Sequence, residues 1–270
     1  MIDIIIPAYN CTKTLHRTLS SLEAQSDKNF NVIIVDDCST EDLMPIITEK
    51  QPHLNIRYIR KDVNEGCGMA RQTGIDNAES DYVTFLDSDD ILMPYTVELF
   101  NSMIKNSDFD IYHSYFYEQL VTPDGTPAIV LHKEGFTWCH GKLYKIDFIK
   151  KYGIRNTPKI KYADDSYFNS MCAELGTVGK IPMATYLWMN NSESITRDVT
   201  GGFLNGGAGA DFINAMLLSS EFILQHKPYV AHLPATIRKI QSQYQITPDV
   251  QEAYDRLVEI SKLQKGVDNE

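Results

Sequence analysis

Two short stretches of the chain bring acidic side chains close together. FLDSDD places Asp87, Asp89 and Asp90 directly after large apolar residues, and KYADDSYF contains the adjacent pair Asp164 and Asp165. Carboxylates are the hard oxygen ligands that divalent cations bind, and a positioned carboxylate can accept a proton during a reaction. Each stretch also has an ordinary explanation, because acidic turns are common and helix N-termini favour acidic residues. The rest of the sequence has to decide between these interpretations.

Composition limits the class of protein. The 270 residues fit one large domain, or one domain with an appendage, and 43% hydrophobic residues are typical of a globular protein with a sizeable core. A net charge of −11 argues against non-specific nucleic-acid binding. No apolar run reaches the roughly 18 residues of a membrane span, and the cysteines lack disulfide or zinc-site spacing. These features predict a cytoplasmic protein, with peripheral attachment to a membrane left open.

The first hundred residues alternate between apolar runs and helical stretches. Strands are predicted at residues 2–6, 31–35, 56–59 and 82–86. Helices are predicted between them, one of which carries Leu15, Leu19 and Leu22 on one face. Strands that alternate with helices indicate an α/β protein with a mainly parallel sheet, and continuous apolar strands fit a sheet covered on both faces.

A polar segment follows each of the four predicted strands. These segments are PAYN, DDCST, NEGCGMAR and DSDD, in chain order. In open α/β sheets, ligands bind beyond the carboxyl ends of the strands. Each segment alone could be a turn or a helix cap, but four of them at one sheet edge predict a ligand site there.

The order and spacing of these segments resemble those of the family-2 glycosyltransferases. That family has P-x-Y-N, V-D-D-x-S, N-x-G-x-x-x-A-R and D-x-D motifs. The matching residues are Pro7, Tyr9, Asn10, Val35, Asp36, Asp37, Ser39, Asn64, Gly66, Ala70, Arg71, Asp87 and Asp89. The resemblance extends over residues 1–95 and implies the A-type glycosyltransferase fold. That fold has a mixed, mainly parallel central sheet flanked by helices.

The resemblance implies that a nucleotide sugar, with UDP-sugar the expected donor, binds at these strand ends. Asp37 is the expected acceptor of the uracil N–H. Arg71 would lie beside it, because a guanidinium can brace a carboxylate or reach a carbonyl. Tyr9 could stack on the base, or it could be a core tyrosine. The remaining donor-binding residues that the resemblance implies are Pro7, Ala8, Asn64, Asp87, Ser88 and Arg197. Arg197 could neutralise phosphate charge, or it could form a surface salt bridge.

The leaving nucleoside diphosphate carries negative charge that Mn²⁺ or Mg²⁺ would neutralise. By resemblance, Asp89 ligates this ion and Asp87 meets the ribose or the metal's waters. Alternation along an extended segment puts these two side chains on one side. Asp90 is instead expected to cap a helix that Ile91, Leu92 and Pro94 begin.

Residues 96–200 are the expected acceptor-binding half. A strand at 109–117 and a hairpin partner at 129–131 flank the turn TPDGT. The following WCHGKLYK resembles the family's W-G-K-L-Y segment, where a loop enters a helix beside the acceptor pocket, which makes Trp138 the expected acceptor contact. Lys142 and Lys145 could instead be ordinary solvated helix lysines.

KYADDSYF resembles the family's E-D-x-x-F motif, with Asp164 in the Glu position, Asp165 as the second acid and Phe168 as the aromatic residue. Inverting sugar transfer needs a base that removes the proton of the acceptor hydroxyl. By resemblance that base is Asp165. An acidic helix N-terminus would explain Asp164 well and Asp165 only partly. The Asp in place of Glu departs from the motif and leaves the role of Asp164 open.

The segment 200–210, TGGFLNGGAGA, holds five of the 15 glycines and is interpreted as a hinge. It would separate a catalytic domain, residues 1–200, from a helical C-terminal extension, residues 201–270. Within the catalytic domain, 1–95 would bind the donor and 96–200 the acceptor. Helices are predicted at 211–227, 229–245 and 248–265. They could pack on the catalytic domain, form a homo-oligomer or hold the acceptor.

The sequence therefore predicts a metal-dependent, inverting glycosyltransferase with a glycan, lipid-linked or polymer acceptor. A nucleotidyltransferase is one alternative, although PAYNCTKT lacks the glycine-rich basic loop that a triphosphate usually needs. A catalytically silent nucleotide-sugar-binding protein is another. Asp89 and Asp165 argue against it, because a silent relative needs neither carboxylate.

Overall fold

The computed structural model describes residues 1–122, 124–135, 137–191, 208–244 and 246–267. The chain divides into two compact units. The first, here called the sheet unit, comprises residues 1–135, 139–151 and 177–190. The second, the helical unit, comprises residues 136–138, 152–176 and 191–270.

Within the described residues, nine strands form one mixed sheet. The strands are β1 (Ile2–Ala8), β2 (Phe30–Asp36), β3 (Ile56–Arg60), β4 (Tyr82–Phe85), β5 (Ile91–Leu92), β6 (Ile111–Val121), β7 (Pro127–His132), β8 (Lys142–Lys145) and β9 (Val178–Trp188). Their order is β3-β2-β1-β4-β8-β6-β9-β5, with β7 paired to β6 outside this path. Strands β3, β2, β1 and β4 are parallel, as predicted, and their carboxyl ends share one edge.

Helices cover this sheet. They are α1 (Thr12–Glu23), α2 (Met44–Lys50), α3 (Cys67–Asp76), α4 (Thr96–Asn106) and α5 (Ile146–Tyr152). Every residue of β1 is buried, which explains why its sequence is continuously apolar except for Asp3. Asp3 is satisfied by hydrogen bonds from the Ser80 hydroxyl and from the backbone N–H groups of Glu79 and Ser80. The predicted apolar face of α1, Leu15, Leu19 and Leu22, is fully buried.

One local prediction was wrong, and one alternative interpretation is excluded. Ile91 and Leu92 form the short strand β5, paired with Leu187 and Tyr186 of β9, and the next helix begins only at Thr96. Lys142 is not a solvated helix lysine, because it lies in β8 with no exposed surface. In both cases pairing with a distant strand fixes the local structure, and the local sequence carries no sign of that pairing.

The helical unit contains α6 (Asp164–Leu175), α7 (Ala208–Leu224), α8 (Leu233–Gln243) and α9 (Pro248–Val267). Helix α7 packs against α6 and α9. Helix α6 therefore groups with the C-terminal helices, although it precedes the predicted boundary at residue 200. That boundary and most of the glycine-rich segment fall on residues 192–207, outside the described residues, so the hinge stays a prediction. None of the described helices combines the length and apolar character needed to cross a membrane.

Glu174, near the end of α6, ties this helix to the start of α8. Its Oε1 accepts a hydrogen bond from the His232 backbone N–H and lies 2.8 Å from Nδ1 of the His232 ring. The Lys227 ammonium donates to its Oε2 at 3.2 Å. Burial acts to raise the pKa of Glu174, but the contacts from His232 and Lys227 outweigh burial and lower the pKa to about 2. The ionised carboxylate is therefore stabilised in the folded state.

Replacing this carboxylate should weaken the helical unit in a pH-dependent way. Because the folded-state pKa is depressed, its contribution is fully present above the ordinary value of 4.5 and is lost as the pH falls through about 2. We expect Glu174→Gln to lower the free energy of unfolding by about 1–3 kcal/mol at pH 7. The difference should shrink steadily below pH 4.5, as urea unfolding at several pH values would measure.

Glu49→Gln is the matched control, since Glu49 makes a His–Glu contact of 2.9 Å with His16 on the exposed surface. Exposed pairs contribute little to stability, so this variant should unfold like the wild type at every pH. A Glu174→Gln protein as stable as the wild type at pH 7 would contradict the role given to this carboxylate.

Candidate donor-binding and catalytic site

Asp37 directly follows β2 and is almost completely buried. The parallel register pairs Asp36 with Arg60, so the next residues, Asp37 and Lys61, emerge side by side from β2 and β3. The Lys61 ammonium donates to Asp37 Oδ1 at 2.6 Å, and the backbone N–H of Gly66 donates to Oδ2 at 2.7 Å. A charged, partly hydrogen-bonded carboxylate is thus fixed at the strand ends.

The end of β1 lies next to this carboxylate. Pro7 and Ala8 pair with the last residues of β2, and the Asp37 backbone N–H donates to the Ala8 carbonyl at 2.8 Å. Tyr9 is 49% exposed, which excludes the core interpretation of this side chain and leaves its ring accessible to a ligand. Asn64 lies on the other side of Asp37, where its side-chain oxygen accepts from the Gly66 N–H at 3.2 Å.

Arg71 of α3 reaches the end of β4. Its Nη2 lies 2.6 Å from Asp87 Oδ1, and its guanidinium sits 5.8 Å from the centre of the Phe85 ring. Burial acts to raise the pKa of Asp87, but the charge of Arg71 and the contact with His140 hold it well below its usual range. The sequence predicted Arg71 beside Asp37, whereas the structure gives it an ion pair with Asp87.

His140 is a site residue that the sequence did not reveal. Its Nε2 lies 3.7 Å from Asp87 Oδ2, and its ring stacks on Tyr186 with the ring centres 4.6 Å apart. Phe116 and Trp188 enclose the same ring, and its Nδ1 is buried with no hydrogen-bond partner among the described residues. Burial lowers the pKa of His140, which favours the neutral imidazole. The one sequence signal was its position within WCHGKLYK.

Asp90 does not cap a helix. It is 1% exposed, and it accepts hydrogen bonds from the Tyr186 hydroxyl at 2.6 Å and from the Met189 backbone N–H at 2.7 Å. The pairing of β5 with β9 brings both donors to it. Burial, together with the charges of Asp87 and Asp89, raises the pKa of Asp90 well above its ordinary value, which favours the protonated form.

The backbone of the DSDD segment is held by α1. The Thr18 hydroxyl donates to the Ser88 carbonyl at 3.0 Å, and the Arg17 guanidinium donates to the Asp89 carbonyl at 2.6 Å. These contacts bind main-chain oxygens, so they fix the segment without using its carboxylates.

The donor set at this strand end fits a divalent cation. One ligand atom from each of Asp87, Asp90 and His140 lies within 4.8 Å of the others. Carboxylate oxygens and a neutral imidazole suit Mn²⁺ and related ions, and an imidazole has less affinity for Mg²⁺. The oxygens of Asp90 already accept from Tyr186 and Met189. The structure therefore groups Asp87, Asp90 and His140 as possible ligands, whereas the role predicted for Asp89 stays a prediction.

The second acidic cluster lies in the helical unit. Asp164 and Asp165 occupy the first turn of α6, where Asp165 Oδ1 accepts a hydrogen bond from the Ser166 backbone N–H at 2.6 Å. Phe168, one turn further on, is buried, and Trp138 belongs to the same unit. Arg197 lies outside the described residues. The structure thus groups Asp164, Asp165 and Trp138 in one unit, and all the other described candidate residues in the other.

A family model described as Glycosyl transferase family 2 matches residues 3–158, more than half of the chain. The chain belongs to glycosyl transferase family 2. The resemblance that the sequence motifs indicated is therefore confirmed.

Curated relatives share part of their length with this family member. A glycosyltransferase of Haemophilus influenzae is 37% identical over 116 residues, which are 42% of this chain and 38% of the relative. The poly(ribitol-phosphate) beta-N-acetylglucosaminyltransferase TarS of Staphylococcus aureus is 27% identical over 178 residues, 62% of this chain and 31% of TarS. The chain thus spans about a third of the length of these proteins.

Solved structures share the fold. TarS residues 1–349 in complex with UDP-GlcNAc superimpose with a TM-score of 0.76 at 20% identity, covering 95% of this chain and 79% of that one. The mannosyltransferase PcManGT of Pyrobaculum calidifontis, in complex with GDP-Man and Mn²⁺, gives a TM-score of 0.61 at 12% identity, covering 98% and 75%. The predicted A-type fold, a mixed sheet flanked by helices with a helical C-terminal region, is confirmed.

Gly141 directly follows His140 and should not tolerate a side chain. Its φ is +64°, and a Cβ there would lie 2.5 Å from the Ser114 hydroxyl oxygen. Gly125 has a similar φ of +85° but open space around it. Gly125→Ala should therefore show only the left-handed backbone penalty of about 1–2 kcal/mol.

Gly141→Ala should add about 1–3 kcal/mol to that penalty, because overpacking forces Ser114 and its neighbours to move. Urea unfolding of the two variants measures this difference. Equal stability of the two variants would show that the Ser114 contact does not restrain the His140 segment.

Proposed function

We propose that this protein is a metal-dependent, inverting glycosyltransferase that moves a sugar from a UDP-sugar to an acceptor hydroxyl. The observation that carries the proposal is the pair of charged groups at one sheet edge, Asp37 at the end of β2 and Asp87 with Arg71 at the end of β4. The first suits a nucleobase, and the second suits a diphosphate and its counterion. Membership of family 2 and the UDP-GlcNAc bound to TarS support this assignment.

The uridine end of the donor would bind at β1 and β2. Uracil carries an N–H between two carbonyls, and Asp37 offers an acceptor for that N–H. Pro7 and Ala8 would form one wall of the base site. The exposed ring of Tyr9 would stack on the base, because one of its faces is accessible.

The diphosphate end would bind near β4, with Arg71 balancing negative charge and Asp87 facing the ribose or the ion. Asp89, Asp87 and His140 would hold Mn²⁺ or Mg²⁺, and the imidazole favours Mn²⁺. A cation bound there would neutralise the charge that develops on the departing diphosphate. Mn²⁺ in the structure of PcManGT supports the choice of ion.

Asp165 would act as the general base. As the acceptor oxygen forms its bond to the anomeric carbon, its proton passes to the Asp165 carboxylate, and the bond from that carbon to the UDP oxygen breaks. Attack opposite the leaving group inverts the configuration of the anomeric carbon. Asp164 is more buried than Asp165 and would support the start of α6.

The acceptor is proposed to be a glycan, a lipid-linked sugar or a polymer, and the similarity to TarS, a poly(ribitol-phosphate) beta-N-acetylglucosaminyltransferase, favours a polymer. A cytoplasmic location fits the use of a UDP-sugar as donor.

A nucleotidyltransferase would consume a nucleoside triphosphate, and a catalytically silent binder would bind UDP-sugar without turnover. A product assay with nucleotide sugars and triphosphates would therefore separate the three possibilities.

If Asp89 is a metal ligand, its replacement should lower both turnover and the affinity for Mn²⁺. Asp89→Ala should abolish turnover and weaken Mn²⁺ binding in the presence of UDP, because it removes a hard oxygen ligand. Calorimetric titration of Mn²⁺ and a product assay measure these effects. Asp108→Ala is the control, since Asp108 is 81% exposed and pairs with Lys145. Full activity of the Asp89→Ala protein, or of the wild type in a chelator, would contradict the assignment.

If Asp165 is the general base, its replacement should lower turnover without weakening the binding of UDP. Asp165→Asn keeps the size of the side chain and removes its basicity, so turnover should fall by about 10² to 10⁴. UDP affinity should hold, because the expected uracil and diphosphate contacts belong to other residues. Turnover and UDP affinity are measured on the same preparation, with Asp164→Asn beside it. Normal turnover in Asp165→Asn, together with a loss in Asp164→Asn, would transfer the role to Asp164.

A further inference from the structure

Lys61 is a buried cation that neither the motifs nor the proposed reaction uses. It follows β3 directly, and its side chain is only 10% exposed. Its ammonium lies 2.6 Å from Asp37 Oδ1 and 3.1 Å from Glu65 Oε2. A lysine held between two carboxylates at a strand end keeps a fixed position, because both contacts restrain the flexible end of its side chain.

Lys61 and Asp37 together offer more hydrogen-bonding positions than their contacts with the described residues use. An ammonium carries three donors, and Asp37 and Glu65 account for two of them. The Asp37 carboxylate has about four acceptor positions. Three of these are used, by Lys61, by the Glu65 N–H and by the Gly66 N–H. Among the contacts of the described residues, one donor on Lys61 and one acceptor position on Asp37 therefore remain, on two groups that touch each other at 2.6 Å.

This arrangement complements one edge of uracil. The base presents N3–H with the O4 and O2 carbonyls on either side. We propose that Asp37 and Lys61 recognise the base together, with Asp37 accepting from N3–H and Lys61 donating to one flanking carbonyl. Lys61 would then be a specificity-determining residue, and this inference rests on the proposed function. Arg71, which the sequence predicted beside Asp37, forms its ion pair with Asp87.

An alternative role for Lys61 is to neutralise the charge of Asp37 without contacting the base. The test therefore needs a measurement that changes only if Lys61 contacts the base. UDP, 2-thio-UDP and 4-thio-UDP differ at single carbonyls, and sulfur accepts hydrogen bonds more weakly than oxygen. The wild type should bind one of the two thio analogues about tenfold more weakly than UDP, because a hydrogen bond from a charged donor is lost. Calorimetry gives the three dissociation constants.

In Lys61→Met this discrimination should disappear, with UDP and both analogues bound about equally and UDP itself bound about tenfold more weakly than by the wild type. Lys50→Met is the matched control. Lys50 is a second buried lysine, 7% exposed, whose ammonium lies 2.7 Å from Glu23. Its replacement removes a comparable ion pair in α2 and should leave the wild-type preference for UDP intact.

The outcomes separate the two proposals. If Lys61→Met keeps the wild-type ratio of affinities for UDP and its analogues, Lys61 has no role in recognition of the base. This holds even if all three affinities fall by the same factor. If the wild type binds UDP and both analogues equally, the inference is overturned without any variant, and the proposed function stands. A wild type that binds no uridine nucleotide would overturn both.

Discussion

The site depends on the ion pair between Arg71 and Asp87. Three aspartates within four residues repel one another, and the segment is stable only because each charge is balanced in a different way. Arg71 balances Asp87 at 2.6 Å, and burial with hydrogen bonds from Tyr186 and Met189 favours protonated Asp90. The Asp89 main chain is fixed by the Arg17 guanidinium, which donates to its carbonyl at 2.6 Å. Without Arg71, the low pKa of Asp87 would lose its main electrostatic cause.

Tyr186 connects these charges to the rest of the sheet. The Asp87 backbone N–H donates to its hydroxyl at 3.2 Å, that hydroxyl donates to Asp90 at 2.6 Å, and the ring stacks on His140. Tyr186 belongs to β9, and β9 pairs with both β5 and β6. The second half of the sheet therefore sets the geometry of a segment that the first half supplies. A change in the packing of β9 would reach the acidic segment directly.

The sequence predicted one part of this site well and another part not at all. Asp37 and Asp87 follow parallel strands, and the carboxyl ends of such strands share an edge by geometry, so strand periodicity was enough to group them. His140 and Asp90 take their positions from pairing with distant strands, and no local pattern encodes a pairing partner. Asp90 looked like a helix cap because its true partners are 96 residues or more away in the chain. The sequence also placed Arg71 beside Asp37, whereas the orientation of α3, which local sequence does not encode, directs it to Asp87.

Helix α3 couples the two ends of the proposed donor site. Gly66, the residue just before the helix, donates its N–H to Asp37, and Arg71, in the second turn, reaches Asp87. Further along, the helix rests directly on β1, because a Cβ at Gly74 would overlap the Ile5 side chain. The absence of that Cβ sets how deeply α3 sits against the sheet, and so the distance from Gly66 and Arg71 to the two carboxylates. A displacement of this helix would therefore change both contacts together, because Gly66 precedes the helix directly and Arg71 lies within it.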